Sequence, residues 1–337
     1  MKTPSSSSPQ RLLLAADVGG TKTLLQLRTI DADGHATQQA EQRYPSEDFD
    51  SLESLIERFL DEHGARRPDS ACLAVAGPVQ QQGECQSASL TNLPWQLDSR
   101  RMATRLAIPR LVLLNDFQAI GYSLDELDED DLVPLNRSPA REGAPRLVVG
   151  AGTGLGVCTL FPDSGRYISY PSEGGHIAFA PRDAQQAQLL QFLQQEYGRV
   201  SCERLVSGAG LVNIYRFLLP PEQRSSDPLL AQPDPAAAIG AQALTGKHSV
   251  AVDAISLFSR IYGAVAGDLA LATLPAGGIY IAGGIAPKML DYLQDGTFME
   301  AFLDKGRMRA LVHGFPVQVI TNPRCGLLGA AHFAARL

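Results

Sequence analysis

The sequence predicts a two-domain α/β protein, and three features point to this fold class. The 337 residues are enough for two domains of roughly 100–200 residues each. Continuous apolar runs at 71–76 and 111–114 are typical of buried parallel strands, and helical patterns follow them. Two glycine-rich turns, at 17–23 and 150–154, each join two apolar runs, so each can open its own α/β domain.

Composition limits the classes of function. The chain is 45% hydrophobic and 19% charged, so it can bury a sizeable core. Its net charge of -7 and its pI near 5.4 indicate an acidic protein without the basic surface that nucleic acid or an anionic membrane requires. We therefore expect neither as a partner. The five cysteines form no Cys-x-x-Cys pair and are expected to be reduced, which indicates a cytoplasmic protein. Residues 1–10 lack the apolar stretch of a signal peptide and are predicted to form a disordered tail.

The first hairpin is predicted by the apolar runs 11–16 and 24–28 on either side of the turn 17–23. Its glycines would let the backbone approach a phosphate, with the Thr21 hydroxyl as a further donor. Asp17 would hold Mg²⁺, directly or through water. A simple turn without a ligand is the alternative.

An amphipathic helix over 52–60 and the strand 71–76 come next. The loop after that strand carries Asn92, which would hydrogen-bond a ligand or serve as a turn residue. A short helix over 99–107 leads to the strand 111–114.

Asn115 and Asp116 directly follow the strand 111–114. A carboxylate at the carboxyl end of a central strand points into the crevice where open α/β sheets bind their ligands. Asn and Asp before a helix are also common caps, so capping is the competing interpretation of this pair.

The hairpin pattern returns at 146–160, where Gly152, Thr153 and Gly154 lie in the turn. Two such turns in equivalent places indicate a nucleotide held by its phosphates, although a single Gly-x-Gly would be weak evidence. Further on, Glu173 and His176 flank a Gly-Gly bend and can converge on one small polar ligand. A zinc site would need further His or Cys nearby, and the sequence has none there.

The rest of the chain supplies mostly scaffold. Glu203 lies in a predicted helix start at 201–206, capped by Ser201, where it would bind a ligand or complement the helix dipole. Gly283 and Gly284 follow a predicted strand. Because glycine has no side chain, an adenine or ribose could lie directly against the backbone there. The remaining predicted elements are a helix over 188–197, a surface loop at 220–235, one or two buried helices over 250–274, strands at 278–282 and 316–320, and a closing helix at 326–335 that packs on the first domain.

With these motifs in order, the sequence resembles bacterial ATP-dependent glucokinases of the hexokinase and actin-like superfamily from about residue 12 to residue 335. The Ser-Glu-Gly-Gly-His form at 172–176 and the Val-Ser-x-Glu-Arg-Leu-x-Ser-Gly stretch at 200–208 distinguish it from the ROK group, whose Cys-rich zinc motif is absent from the sequence. The resemblance implies an actin-like, ribonuclease H-like fold with the sugar in a cleft between two domains. The expected small domain is 11–114 plus 322–337, and the expected large domain is 115–321.

The resemblance also implies a reaction: transfer of the γ-phosphoryl group of ATP, with Mg²⁺, to the 6-hydroxyl of D-glucose at the entry to glycolysis. A homodimer is expected, and a kinase for another hexose or a sugar-sensing regulator are the alternatives. By position, Asp116 is the general base. The sugar residues are Asn92, Asn115, Asp116, Glu173, His176 and Glu203; the phosphate and Mg²⁺ residues are Asp17, Gly19, Gly20, Thr21, Thr153 and Gly154; and the adenosine residues are Gly283 and Gly284.

Overall fold

The structure, a computed structural model, describes residues 10–90 and 93–337. The strands are β1 (Arg11–Val18), β2 (Lys22–Ile30), β3 (Ala36–Pro45), β4 (Ser70–Val75), β5 (Val79–Gln82), β6 (Cys85–Ser89), β7 (Gln96–Asp98), β8 (Arg110–Asn115), β9 (Leu132–Pro134), β10 (Arg146–Ala151), β11 (Leu155–Asp163), β12 (Arg166–Ser172), β13 (Gly278–Ala282) and β14 (Val317–Ile320). The α-helices are α1 (Leu52–Glu62), α2 (Ser99–Leu106), α3 (Asp116–Ser123), α4 (Ala184–Tyr197), α5 (Gly208–Leu218), α6 (Pro235–Leu244), α7 (Ser249–Thr273), α8 (Leu290–Gln294), α9 (Thr297–Leu303), α10 (Arg309–His313) and α11 (Cys325–Arg336).

The chain forms two compact units. The first contains the described residues up to Leu127 together with Pro323–Leu337, and the second is Asp128–Asn322. The sequence prediction placed the boundary between the small and the large domain after residue 114, whereas the structure places α3 in the first unit. The reason is packing, because α3 lies against α11, and the Cβ of an alanine at Gly329 would be only 1.7 Å from the Ala119 carbonyl oxygen.

The first unit is built on a five-stranded sheet in the order β3-β2-β1-β4-β8. Strands β1, β4 and β8 are parallel, with Val18 opposite Val75 and Val75 opposite Asn115. One face of the sheet packs on α1 and α2, and the other packs on α3 and α11. The parallel register therefore brings the carboxyl ends of β1 and β8 to the same edge of the sheet.

The second unit is built on a six-stranded sheet in the order β12-β11-β10-β13-β14-β9. Strands β10 and β13 are parallel, with Gly150 opposite Ala282, so the turns that follow them are neighbours. Among the described residues, α7 is long and apolar enough to cross a membrane by length and composition, but most of it is buried inside this unit. Its apolar surface is thus taken up by packing against the sheet and the neighbouring helices.

Both glycine-rich hairpins are confirmed as β1–β2 and β10–β11. The prediction at 201–206 was wrong: a short 3-10 helix, Cys202–Arg204, is present, and Ser201 makes no side-chain cap bond. The next helix, α5, is instead capped by Ser207, whose hydroxyl accepts from the Gly210 N–H. The predicted loop at 220–235 ends where α6 begins, because Asp234 caps that helix and Pro235 suits its first position.

Candidate functional site

Asp116 is the first residue of α3 and lies at the carboxyl end of β8. Its Oδ1 accepts from its neighbour's backbone, the Phe117 N–H, at 3.0 Å and from the Asn115 side-chain amide at 2.9 Å. These two bonds fix the orientation of the carboxylate while leaving Oδ2 for other contacts.

Asn115 is a helix cap, as the competing interpretation expected. Its Oδ1 accepts from the N–H groups of Phe117 and Gln118, and its Nδ2 donates to the Gly77 carbonyl and to Asp116. The side chain of an asparagine offers two donors and one carbonyl oxygen with two lone pairs. A sugar contact from Asn115 would therefore have to replace one of these four bonds, and in the described structure the residue orients Asp116.

Burial is the main cause of an unusual pKa at Asp116. It raises the pKa of this carboxyl to about 6, and the negative charge of Asp17 acts in the same direction, whereas the Phe117 N–H and Asn115 bonds favour the charged form. The pKa of Asp17 is also raised by burial, against the opposing charge of Arg43. Two enclosed carboxyl groups that interact electrostatically form an environment that favours a cation.

Asp17 fits the expected magnesium ion, and the neighbouring charge of Asp116 adds to the attraction for a cation. Mg²⁺ prefers oxygen ligands and is usually held by one or two carboxylates, water and substrate phosphates. Asp17 lies at the end of β1, and the N-terminus of α11 approaches it so closely that a Cβ at Gly326 would be 3.1 Å from its Oδ2. A glycine at this position leaves room around the carboxylate.

The first glycine turn consists of Gly19, Gly20 and Thr21 between β1 and β2. The Gly19 N–H donates to the Lys22 carbonyl at 3.0 Å. Ser46 holds the turn from outside: its N–H donates to the Thr21 carbonyl and its hydroxyl to the Gly19 carbonyl, both at 3.0 Å. Ser46 is fully buried, and the sequence did not indicate it because the contact spans more than twenty residues.

The second glycine turn consists of Gly152, Thr153 and Gly154 between β10 and β11. The Gly152 N–H donates to the Gly154 carbonyl, and the Gly208 N–H donates to the Gly152 carbonyl, each at 2.8 Å. The second bond joins the turn to the start of α5. Backbone N–H groups of such a turn, next to a helix N-terminus, can donate hydrogen bonds to a phosphate.

A cavity of about 870 Å³ lies beside this turn in the second unit. Its volume is in the range of small-molecule sites, and its lining is mostly apolar. Gly152, Thr153 and Gly284 line it, so the structure brings the second turn and part of the expected adenosine site to one cavity. Polar groups that sequence reasoning missed also line it, namely Asp234, Lys288 and Tyr292.

Gly283 has a different function from Gly284. Its φ of 85° lies in the left-handed region, and a Cβ there would lie 2.3 Å from the Ala151 carbonyl oxygen. Gly283 therefore allows β13 to turn closely past β10, and Gly284 faces the cavity.

Glu173, His176 and Glu203, which we call the carboxylate–histidine cluster, come together in the second unit. His176 Nε2 lies 3.7 Å from Glu173 Oε2, and His176 Nδ1 lies 3.9 Å from Glu203 Oε1. The side chains are partly exposed, so they can form hydrogen bonds to a polar ligand. Asn92, the remaining residue expected at the sugar, lies outside the described residues.

Comparison with known proteins gives consistent results. The family model described as Glucokinase matches residues 14–337. The glucokinase of Nostoc punctiforme is 44% identical over 344 residues, which cover 97% of this chain and 99% of that one. The crystal structure of a glucokinase from an Antarctic psychrotroph aligns with a TM-score of 0.83 at 32% identity, over 97% of this chain and 99% of that one. A glucokinase from Balamuthia mandrillaris, crystallised with glucose, aligns with a TM-score of 0.81 at 24% identity, over 99% and 96% of the two chains. The predicted fold class is thereby confirmed.

Proposed function

The chain belongs to the glucokinase family and is an ATP-dependent hexose kinase that forms glucose 6-phosphate, and we propose that Asp116 is its general base. The observation that carries this proposal is the position of Asp116 at the carboxyl edge of the parallel strands, with a carboxylate oriented by Asn115 and a pKa raised to about 6. Such a group is ionised at neutral pH and is still basic enough to accept a proton.

In the proposed reaction, the Asp116 carboxylate accepts the proton of the sugar 6-hydroxyl as that oxygen attacks the γ-phosphorus of ATP. The bond between the γ-phosphorus and its bridging oxygen breaks, and ADP leaves with the electron pair. Phosphoryl transfer of this kind depends mainly on positioning and on stabilising the phosphate charge. The protein therefore has to supply a base, phosphate donors and little covalent chemistry.

The two glycine turns are proposed to supply the phosphate donors. In this proposal the phosphate oxygens of ATP would accept from backbone N–H groups of the turns and from the hydroxyls of Thr21 and Thr153, and Asp17 would hold Mg²⁺, directly or through water. The ion, when bound, neutralises charge on the phosphates. Gly284 and the cavity of the second unit are proposed to accept the adenosine, since a mostly apolar cavity of this volume suits a nucleoside.

The carboxylate–histidine cluster is proposed to bind the hydroxyls of glucose other than the 6-hydroxyl. Glucose is uncharged and presents several hydroxyls, so a selective site needs several oriented acceptors and donors. Glu173 and Glu203 provide acceptors, and His176 provides one of each in its neutral form. Asn92 is proposed as a further sugar residue on the basis of the sequence alone.

We also propose that the enzyme is a cytoplasmic homodimer whose substrates are small molecules. Its acidic net charge gives it no electrostatic attraction to nucleic acid or to anionic membranes. Light scattering after size-exclusion chromatography measures the oligomeric state, and a mass of a single chain at micromolar concentration would contradict the dimer.

The test of the proposed base is Asp116→Asn. This change keeps the size and polarity of the side chain but removes the proton acceptor, so kcat should fall by about 10²–10⁴. Glucose affinity, measured by calorimetry without nucleotide, should change much less. A folded variant that retains more than about a tenth of the wild-type kcat would exclude Asp116 as the base.

A further inference from the structure

We propose that Glu203 is a positioning residue that links the sugar-binding cluster to the second glycine turn, with one carboxylate oxygen assigned to each. The inference rests on the proposed function, because it takes the cluster as the sugar site and the turn as a phosphate site. It adds a physical connection between the two sites within the second unit.

The first oxygen of Glu203 holds the end of the turn. Its Oε2 accepts a hydrogen bond from the Leu155 N–H at 3.0 Å. Leu155 directly follows Gly154 and is the first residue of β11. Because an ionised acceptor forms a stronger hydrogen bond than a neutral one, this contact fixes the orientation of the peptide that closes the turn.

The other segment of the cluster packs against the same residue. A Cβ at Gly175 would lie 2.1 Å from the Leu155 carbonyl oxygen, so only a glycine allows this approach. Gly175 lies in the bend between Glu173 and His176. The main chain of Leu155 therefore contacts both segments that carry the sugar-binding side chains.

The second oxygen of Glu203 is directed at the cluster. Its Oε1 lies 3.9 Å from His176 Nδ1, whereas Oε2 is occupied by Leu155. Oε1 can therefore accept from a sugar hydroxyl without loss of the bond to the turn. One carboxylate can satisfy both contacts at the same time.

The identity of residue 154 supports this arrangement. A Cβ at Gly154 would lie 2.5 Å from Glu203 Oε2, and no other group comes as close. The glycine thus leaves room for the carboxylate in the position where it accepts from Leu155. An alanine would displace the flexible end of Glu203, which breaks its bond to Leu155 without a clash with the main chain. At Gly152, by contrast, a Cβ would meet no atom within 4 Å.

The first experiment measures binding of a nonhydrolysable ATP analogue without sugar, and of glucose without nucleotide, by calorimetry. Glu203→Ala should weaken glucose by about 10–150-fold and the nucleotide by about 3–10-fold, because the turn is no longer held in place. Glu203→Gln should restore most of the nucleotide affinity, since its amide oxygen accepts from Leu155, while glucose stays weak. Glu173→Ala is the matched control and should weaken glucose alone.

The second experiment is a double-mutant cycle between Gly154 and Glu203. Gly154→Ala alone should weaken both ligands, because it displaces the carboxylate. Added to Glu203→Ala, it should cause little further loss of glucose affinity, so the two effects are not additive. Gly152→Ala should leave glucose affinity unchanged, and its effects should add to those of Glu203→Ala.

The outcomes separate this inference from the proposed function. Loss of glucose affinity with unchanged nucleotide affinity in Glu203→Ala and Gly154→Ala would overturn the positioning role and leave the sugar site intact. Unchanged glucose affinity in both Glu173→Ala and Glu203→Ala would contradict the proposed sugar site. In that case the loss of nucleotide affinity in Glu203→Ala, and its recovery in Glu203→Gln, would still decide whether Glu203 positions the turn.

Discussion

Burial of Asp116 sets the pH range in which this carboxyl can act as the proposed base. The carboxyl must be ionised to accept a proton, and burial raises its pKa to about 6. Below that pH the carboxyl is mostly protonated and has no lone pair free for the proposed proton transfer; above it the carboxyl is mostly ionised. The charge of Asp17 contributes in the same direction, so the two carboxyl groups are coupled.

We therefore expect kcat/KM for glucose, measured with saturating ATP and Mg²⁺, to fall as the pH decreases through about 6. Below the pKa of Asp116 the fall should be about tenfold per pH unit. Initial rates between pH 5 and pH 8 test this, with a coupling enzyme shown not to limit at each pH. Preincubation at low pH followed by assay at pH 8 controls for unfolding. A rate that stays constant down to pH 5 would contradict the raised pKa of the base.

The sequence indicated candidate site residues but not the residues that hold them in place. Asp116 was predicted from its place after a strand, and Glu173 and His176 from the Gly-Gly bend that they flank, whereas Glu203 was predicted in a helix start and assigned to the sugar by the resemblance alone. Ser46 could not be found, since its hydrogen bonds to the first turn depend on how β3 returns past β1 and β2. The sequence could not show that Asp234, Lys288 and Tyr292 line one cavity, because they are distant from the glycine turn in the chain and meet it only in the fold.

At the scale of elements, apolar strands were predicted well and polar ones were not. The buried strands β4, β8 and β13 have continuous apolar sequences, so their ends were located to within a residue or two. Strand β3 is mostly exposed and rich in polar residues, so no alternation marks it. Its partner β2 forms the ladder that stabilises it, and that information is not local in sequence.

The contact between α3 and α11 depends on the absence of a side chain at Gly329. Gly329 lets the two helices approach until a Cβ would be 1.7 Å from the Ala119 carbonyl oxygen and 2.9 Å from the Ser123 nitrogen. Both neighbours are main chain and cannot rotate away. Gly329→Ala should therefore separate the helices and destabilise the first unit by about 2–4 kcal/mol.

Urea unfolding measures this loss of free energy. Gly240→Ala is the control, because Gly240 lies within α6 and a Cβ there would meet no atom within 4 Å. Alanine at that helical position should leave the free energy of unfolding unchanged or raise it by about 0.4–1 kcal/mol. Equal stability of the Gly329→Ala variant and the unmodified enzyme would show that the two helices do not need this close contact.

At the scale of the whole molecule, the proposed adenosine site belongs to one unit. The cavity is lined by the second glycine turn, α5, α6, α7 and the segment after β13, all of which lie in Asp128–Asn322. Adenosine alone should consequently slow hydrogen exchange in α5, α6 and the segment after β13, whereas the second glycine turn is proposed to bind phosphates. Ligand binding slows exchange where it suppresses local opening.

Hydrogen exchange followed by mass spectrometry tests this expectation. With adenosine, protection should be confined to peptides covering 208–212, 234–244 and 284–292. The nonhydrolysable ATP analogue should add protection at both glycine turns, because only it carries phosphates. Protection by adenosine centred on the sheet of the first unit would place the nucleoside elsewhere.

The C-terminal helix α11 determines when the first unit can become complete during synthesis. It packs on β1, β4 and α3, and the carbonyls of Ala334 and Ala335 accept from Ser70 and Arg11 near the other end of the chain. A ribosome therefore delivers every residue of the second unit before it delivers this helix. Until then the apolar side chains of Leu13, Ala15 and Ala74 on one face of the first sheet lack their cover. The part of the enzyme made first is consequently finished last, and its nascent sheet is the surface that chaperones would have to protect from aggregation.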